Sequence, residues 1–594
     1  MANDAKHRKI LIGVAWPYAN GYQHVGHLAG AYLPPDIFAR YHRLAGDDVL
    51  MVSGSDAHGT PITVRADAEG VPPREIFQRY HQTFLETYQQ IGLTFDLFTH
   101  TDTENHHRVS QDIFLKILEH GYLYKEVQRQ LYSPREGRFL PDRYVEGECP
   151  HCGYPDARGD QCDNCGKLLE PTELINPRSK ASGDTALELR ETEHYFLDLA
   201  KLGDELADYL SHDKDHWRPN VLNFARNYVQ DLHGRPITRD IDWGIPIPLP
   251  GYEGKCLYVW FEAVIGYFSA SVEWAKNRGT PEAWKAWWYD PSVFSYYFVG
   301  KDNIPFHTVI WPAELLAVGQ LYCDDCETDL NLPYDVPANE FLNLKGSKFS
   351  KSRGTAVDVP YFLSRYDPDA LRFYLTATAP ETRDTEFSWE DFLERNNNEL
   401  VATWGNLANR MLSFAYKRFD GKVPAPGELD AADRELLARV EAGFETVGEL
   451  YAACKFRAAL GEALALAREA NVYVDRKAPW FQIKEDPAGA ATTVYVVLQA
   501  VDHLKTILAP ILPHTAQQLH EYLGYEGQLF GTQQVVEYQE ETRSHLALTY
   551  DHRGAIGTWT PSTLPPGQAL RQPAPLFKKL DESLVEEEYA RLEG

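Results

Sequence analysis

The chain has 594 residues, more than one hydrophobic core usually organises, so several domains are expected. Its 44% hydrophobic and 12% aromatic content is that of a globular protein and excludes a disordered chain. A formal net charge of −28 excludes a protein that binds nucleic acid over its whole surface and leaves room only for a local basic groove.

Taken in chain order, residues 9–17 read as a buried strand, 18–21 as a turn, about 23–44 as a helix and 48–54 as a second buried strand. A strand–helix–strand unit predicts a parallel sheet with helices on its faces. From about 121 to 225 short strands, cysteines and polar loops dominate. Leu257–Trp260 and Tyr296–Val299 then read as returning strands, so the middle stretch is expected to be an insertion into one α/β domain. Lys345–Thr355 is a basic loop bounded by glycines. Beyond 390 the apolar spacing is helical almost throughout, over Phe392–Lys417, Ala432–Ala453, Phe456–Ala478 and Ala490–Leu512, as in a helix bundle. A charged tail over Ala574–Leu592 closes the chain and can form a helix. The apolar stretch Ile10–Trp16 is too short for a secretory signal, and no run reaches the length of a membrane span. The cytoplasm is the expected location.

Three clusters carry chemistry. His24-Val25-Gly26-His27 follows the first strand and turn. At a helix start the free backbone N–H groups attract phosphate, the two imidazoles share a face, and Gly26 lets a ligand approach the backbone. By composition such a match is expected about 0.05 times by chance, so its place after a strand matters. Lys348 and Lys351 lie three apart between Gly346 and Gly354, and together can close on an anion as point charges. Cys149, Cys152, Cys162 and Cys165 form C-x2-C-x9-C-x2-C, with a glycine after each pair. Four thiolates at this spacing fit one structural Zn²⁺. His151 is expected outside the ligand set, and Cys323 and Cys326, which lack a second pair, are expected to be free thiols.

Pro17-Tyr18-Ala19-Asn20-Gly21 followed by His24-Val25-Gly26-His27 resembles the HIGH signature of class I aminoacyl-tRNA synthetases, and the lead-in is similar to the methionine enzymes. Gly54-Ser55-Asp56-Ala57-His58-Gly59-Thr60-Pro61 and Asp240–Pro246 resemble the same branch, and Lys348-Phe349-Ser350-Lys351-Ser352 resembles the KMSKS loop with Phe349 in place of Met. The resemblance covers about residues 9–540. It implies a Rossmann-like parallel-sheet catalytic domain with an inserted zinc-knuckle connective domain, then an all-α anticodon-binding bundle. The expected division is 1–120 and 226–340 for the two catalytic halves and 121–225 for the insertion. Residues 341–390 are assigned to the KMSKS stem-contact region, 391–555 to the anticodon-binding bundle and 556–594 to the tail. The insertion is too short for an editing domain.

The resemblance further implies ligation of methionine to tRNA(Met) with ATP and Mg²⁺. His24, His27, Lys348 and Lys351 would be catalytic; His24, Gly26, His27, Gly300, Asp302 and Lys351 would hold ATP. Ala15, Trp16, Tyr18, Asp56, Trp260, Ala263, Tyr267 and His307 would hold methionine, with Asp56 on its amino group. Asn406, Arg410, Pro479 and Trp480 would meet the anticodon. Trp16, Glu262 and Val264 depart from the familiar Leu, Asp and Pro. No room remains after 555 for the family's dimerisation barrel, so a monomer is expected. Two other readings stay open: a small-molecule nucleotidyltransferase, which shares the histidine motif, and a non-catalytic zinc-knuckle RNA-binding protein.

Overall fold

The computed structural model describes residues 7–593 except 141–143, 160, 161, 163, 166, 168 and 345–355. Its centre is a seven-stranded sheet built from β1 (Lys9–Val14), β2 (Asp48–Ser55), β3 (Leu97–His100), β4 (Phe294–Gly300), β5 (Ala338–Asn339), β6 (Thr532–Gln539) and β7 (Ser544–Asp551). The order is β5–β4–β1–β2–β3–β7–β6. β1 pairs in parallel with β4 on one side (Ile10 opposite Phe294) and with β2 on the other (Ile10 opposite Val49). β5 and β3 extend the parallel part. Ile10, Leu11, Ile12, Leu50, Met51 and Val52 are buried, as expected of strands covered on both faces.

The chain winds outward from β1 in both directions, so the strand order reverses between β1 and β4. In open α/β sheets a crevice opens at the carboxyl ends of such a pair. The predicted first helix forms as Val25–His27, a wide π turn at Leu28–Tyr32 and Leu33–Leu44. Pro34 and Pro35 fall in the first turn of the last segment, where no backbone donor is lost.

Three expectations need correction. Leu257–Trp260 is not a strand: only Cys256–Leu257 pairs, and the helix Val259–Asn277 begins at once, so Trp260 sits in its first turn. The insertion is organised by a long antiparallel ribbon, Leu123–Ser133 against Glu188–Leu197, and not by short strands alone. Residues 532–551 are not helical: β7 pairs antiparallel with β3 and β6 with β7, so the chain returns to complete the catalytic sheet. A strand added at the edge of a sheet satisfies backbone groups that would otherwise be exposed there.

The predicted span Phe392–Lys417 is met by Trp389–Arg395, a π stretch Asn396–Gly405 and Asn406–Arg418 in succession, and the helices Ala431–Ala452, Phe456–Lys477 and Pro487–Leu508 follow the other predicted spans closely. Leu436, Val440, Val447, Leu460, Leu466, Val497 and Leu504 meet in their core. This bundle is tied to the sheet domain by a buried ion cluster. Arg372 Nη2 bonds Asp36 Oδ2 at 2.6 Å, Arg40 Nε bonds the same oxygen at 2.9 Å, and Arg372 Nε donates to the Ile511 carbonyl at 2.8 Å. The tail helix Ser583–Glu593 turns back onto the helix Val359–Arg365. There the buried Glu588 carboxylate accepts from Tyr361 at 3.0 Å and from Arg365 at 2.7 Å. Among the described residues no helix is long and apolar enough to cross a membrane.

Candidate active site

The crevice at the β1–β4 divergence is a cavity of about 530 Å³. It is lined by Ala15, Trp16, Tyr18, His24, Gly26, His27, Asp56, Trp260, Ala263, Tyr267, Gly300, Asp302 and His307. Every described residue expected to hold ATP or methionine therefore faces one space. Lys348 and Lys351 lie outside the described residues.

The histidine pair stands at the helix start. The rings of His24 and His27 stack with centroids 3.7 Å apart, and the His24 backbone N–H donates to His27 Nδ1 at 3.2 Å. That bond leaves His27 Nε2 as the other ring position. Gly26 is tightly enclosed: a Cβ there would sit 3.0 Å from the Leu342 carbonyl oxygen, closer than most side chains approach. The segment is held on its other side by Val25 N–H on the Val357 carbonyl (3.0 Å) and Val359 N–H on the Gln23 carbonyl (2.8 Å). Residues 342–344 and 356–359 flank the basic loop, so both of its described flanks border the histidines. Glu340, Phe341, Leu342 and Asn343 also line the cavity. Sequence reasoning missed them, although their place just before the basic loop was a usable signal.

The far end of the cavity is aromatic. Tyr18 meets Trp260 edge-on at 6.1 Å, and Trp260 stacks on Phe306 at 4.3 Å. Trp16 lies in a slot between two glycines; a Cβ on Gly54 or Gly266 would fall 2.1 or 2.5 Å from its indole. His307 Nδ1 donates to the Asn303 carbonyl at 2.9 Å, so its Nε2 accepts the Tyr267 hydroxyl at 2.7 Å. Burial pushes the His307 pKa down to about 4, so this wall is neutral at physiological pH and suits an apolar, polarizable side chain. Gly300 makes room for Asp302, whose Oδ1 would lie 2.9 Å from a Cβ at that position.

Beside the aromatic wall lies a buried carboxylate with the His58 imidazolium as its near cation. Asp56, at the end of β2, accepts the His58 backbone N–H at 3.0 Å. Burial, together with the Glu262 carboxylate, raises its pKa well above the ordinary value. Glu262, one of the departures, is fully buried and accepts from His58 Nδ1 at 2.9 Å. A buried carboxylate beside an aromatic wall suits an ammonium ligand.

The four cysteines of the insertion converge, with their sulfurs all within 4.8 Å of one another. Cys149 and Cys165 Sγ are 3.8 Å apart and Cys152 and Cys162 Sγ 3.7 Å. A tetrahedral site with Zn–S bonds of about 2.3 Å has S···S edges of about 3.8 Å, so the donor set fits a metal ion. His151 is exposed and stands outside the cluster; its backbone N–H donates to Cys149 Sγ at 3.4 Å. Cys323 and Cys326 are not free thiols: they are joined in a disulfide, with Cα atoms 5.6 Å apart. The turn between them brings the pair together, which a search for a second metal-ligand pair does not register.

In the bundle, the Arg410 guanidinium lies over the Trp480 ring at 5.1 Å and bonds Asp475 at 3.3 Å. Asn406 is exposed on the same helix as Arg410. Pro479 is buried and follows Ala478, which takes the left-handed backbone at φ 43°. Its part in this geometry is to set the turn that presents Trp480.

The comparisons with known proteins agree with this geometry. A family profile described as "tRNA synthetases class I (M)" matches residues 10–412, and one described as "Anticodon binding domain of methionyl tRNA ligase" matches 423–546. A methionine–tRNA ligase of Thermomicrobium roseum is 59% identical over 586 residues, covering 98% of each chain. That of Thermobifida fusca is 49% identical over 600 residues, covering 99% of each. A structure of Mycobacterium tuberculosis methionyl-tRNA synthetase in complex with methionyl-adenylate superposes with a TM-score of 0.75 at 26% identity, over 96% of this chain and 99% of that one. The chain belongs to the methionine–tRNA ligases, the methionine branch of the class I tRNA synthetases.

Proposed function

We propose that this crevice carries both steps of methionine–tRNA ligation, with the following residues in its roles. The methionine ammonium pairs with Asp56, and the thioether lies among Ala15, Trp16, Tyr18, Trp260, Ala263, Tyr267 and His307. Gly300 and Asp302 hold the ribose side of ATP, and its phosphates lie over His24, Gly26 and His27. The methionine carboxylate attacks the α-phosphate, the bond to pyrophosphate breaks, and methionyl-adenylate stays in place. No enzyme nucleophile is needed; the protein supplies position and charge stabilisation. His24 and His27 donate to oxygens that gain charge, while Lys348 and Lys351 engage the leaving pyrophosphate. Mg²⁺ accompanying ATP would neutralise phosphate charge. A terminal ribose hydroxyl of tRNA(Met) then attacks the adenylate carbonyl and releases AMP.

Asn406, Arg410 and Trp480 read the anticodon, with Trp480 stacking on an unpaired base and Pro479 fixing its approach. The four cysteines hold one structural Zn²⁺. The domain division read from the sequence, except that residues 532–551 join the catalytic sheet, a monomeric state and a cytoplasmic location belong to the same proposal. The single observation that carries it is the convergence of the histidine pair, the buried carboxylate and the aromatic wall on one cavity at the strand-order reversal. The test is amino-acid-dependent exchange of pyrophosphate into ATP across all twenty amino acids, where methionine alone should support exchange. Lys351→Ala should lower the adenylate-forming rate by about two orders of magnitude or more with methionine affinity near normal. Equal loss of rate and affinity would contradict the assigned role.

A further inference from the structure

The hairpin that completes the sheet has an unusual tip. Residues 540–543 form its turn, and the turn docks against the start of the helix Glu104–Glu119. The exchange is reciprocal. The Glu540 carboxylate accepts the backbone N–H groups of Glu104 and Asn105, each at 3.0 Å. The Glu104 carboxylate accepts those of Glu541 at 2.8 Å and Thr542 at 3.1 Å. The docking delivers Arg543 to Asp102, with Nη1 3.3 and 3.2 Å from the two carboxylate oxygens.

From Asp102 the contacts lead inward. Arg74 Nη2 lies 3.1 Å, His107 Nε2 3.5 Å and His58 Nε2 3.9 Å from its oxygens. The other nitrogen of His58 holds Glu262, which also lies 3.5 Å from His106 Nε2. The backbone N–H of His58 holds Asp56, which opens into the substrate cavity. Trp243 closes the cluster from outside, donating to the Ala57 carbonyl at 2.7 Å with its ring against His58 and below Arg74. His58, Asp102 and His107 place ligand atoms within 4.8 Å of one another, yet two guanidiniums on Asp102 already balance the charge a metal would bring.

Carboxylates dominate this interior. Asp56, Glu262, Asp102 and Glu540 are answered by Arg74, Arg543 and His58, with His107 at the rim. Glu273 and His545 pair with each other at 2.9 Å beside the turn. The same cavity is also lined by His24, His27, Asp302 and the neutral His307. An ammonium group entering at Asp56 supplies positive charge where carboxylate is in excess.

We propose that Arg543, on the turn of the C-terminal hairpin, is a positioning residue for the amino group of the substrate. It holds Asp102, and through Asp102 keeps His58 on Glu262 and Asp56 open to the ammonium. The proposal rests on reading Asp56 as the partner of that ammonium. It ties the end of the segment matched by the anticodon-binding profile to the amino-acid site.

The sign of the effect follows from charge. Without Arg543, Asp102 draws on His58, Glu262 is less neutralised, and Asp56 holds a proton more tightly. A protonated Asp56 must ionise before it can pair with an ammonium group, so methionine binding weakens at neutral pH and recovers at higher pH. Burial and Glu262 already hold the Asp56 carboxyl above its ordinary range.

The test uses the whole enzyme and five variants. Arg543→Gln should raise the KM for methionine about tenfold at pH 7 and move the acid limb of kcat/KM up by about one unit, with the KM for ATP unchanged. Arg543→Lys should restore most of both. Competitive inhibition by 4-(methylthio)butanoate, which lacks the amino group, should be the same in wild type and Arg543→Gln. Glu104→Gln weakens the turn that delivers Arg543 and should move the acid limb in the same direction, by less than Arg543→Gln does. The proposal is overturned if Arg543→Gln leaves the limb unmoved, if it shifts ATP and methionine alike, or if Glu104→Gln moves the limb more than Arg543→Gln does. Asp56→Asn separates the two levels. If it leaves the KM for methionine intact, the reading of Asp56 fails; if it raises that KM while Arg543→Gln does not, Arg543 alone is wrongly assigned. Arg543→Met carries the same test should the Gln variant fail to fold.

Discussion

Trp16 occupies a slot that exists because residues 54 and 266 have no side chains, and its indole then forms part of the substrate wall. The three positions should therefore be energetically coupled. Gly266→Ala alone puts a methyl 2.5 Å from the indole and should destabilise the protein and raise the KM for methionine. With Trp16→Leu in the background the same methyl should be tolerated, giving a coupling of about 1–3 kcal/mol in a double-mutant cycle followed by thermal melting and kinetics. Strict additivity would show that the slot is not as described. Glu314 presents the opposite situation, a group with nothing to do. It is fully buried on the helix Trp311–Val318, and neither carboxyl oxygen has a hydrogen-bond partner among the described residues. Burial raises its pKa well above the ordinary 4.5. A raised carboxyl is neutral in the fold while the unfolded chain ionises, so stability is full below about pH 4.5 and falls as pH rises above it. Glu314→Leu should add about 1–3 kcal/mol at pH 7 and flatten that dependence in urea melts run from pH 4 to 8. A loss of stability at pH 7 would point to an unrecognised partner.

Among the elements, the cysteine-bearing insertion has a small core of its own. The described part of the knuckle packs Leu131, Leu140, Tyr144, Val145 and Ala157 around Cys149 and Cys162. Such a core is too small to hold its loops in place without a metal cross-link. Chelation, or Cys162→Ser, should release one zinc per chain and unfold this module, read as new protease sensitivity within residues 145–180. The sheet domain should keep its own melting transition, because its core is a separate, far larger cluster. Retention of the knuckle without metal would refute the assignment. The hairpin β6–β7 shows a second way in which an element gains stability. Alone, two strands are marginal in water. Paired to β3 and pinned at the turn by Glu104 and Glu540, they become part of the catalytic sheet.

At the scale of the whole molecule, one buried ion cluster joins the bundle to the sheet domain. Burial alone would push the Asp36 carboxyl up, but Arg40 and Arg372 outweigh it and hold its pKa at about 2. A depressed carboxyl stabilises the fold above its ordinary 3.8, and that contribution is lost as pH falls toward 2. Asp36→Ala leaves two guanidiniums unanswered, Arg372 fully buried among them, and should cost about 3–5 kcal/mol. Arg372→Met should cost less, since it removes the group with the larger desolvation demand. Equal melting temperatures for the two variants would contradict the ordering.

The parts of this protein legible in its sequence are those whose physics is local. Strand and helix spans follow from apolar spacing over a few turns, and the histidine pair, the cysteine pairs and the aromatic stretch each fall within a short stretch of chain. Their chemistry is visible before their geometry, because a helix start or a thiolate turn needs only neighbours in sequence. What tertiary structure alone decided are the contacts made across long separations. Arg543 and Asp102 are 441 residues apart, and no periodicity in either segment announces the pairing. The hairpin looked like the tail of a helical region, and its strand character is realised against β3. The slot for Trp16 likewise needs two glycines from different elements. Such contacts form only once the sheet and bundle have closed around them, so their rules are those of packing and charge balance in a finished interior.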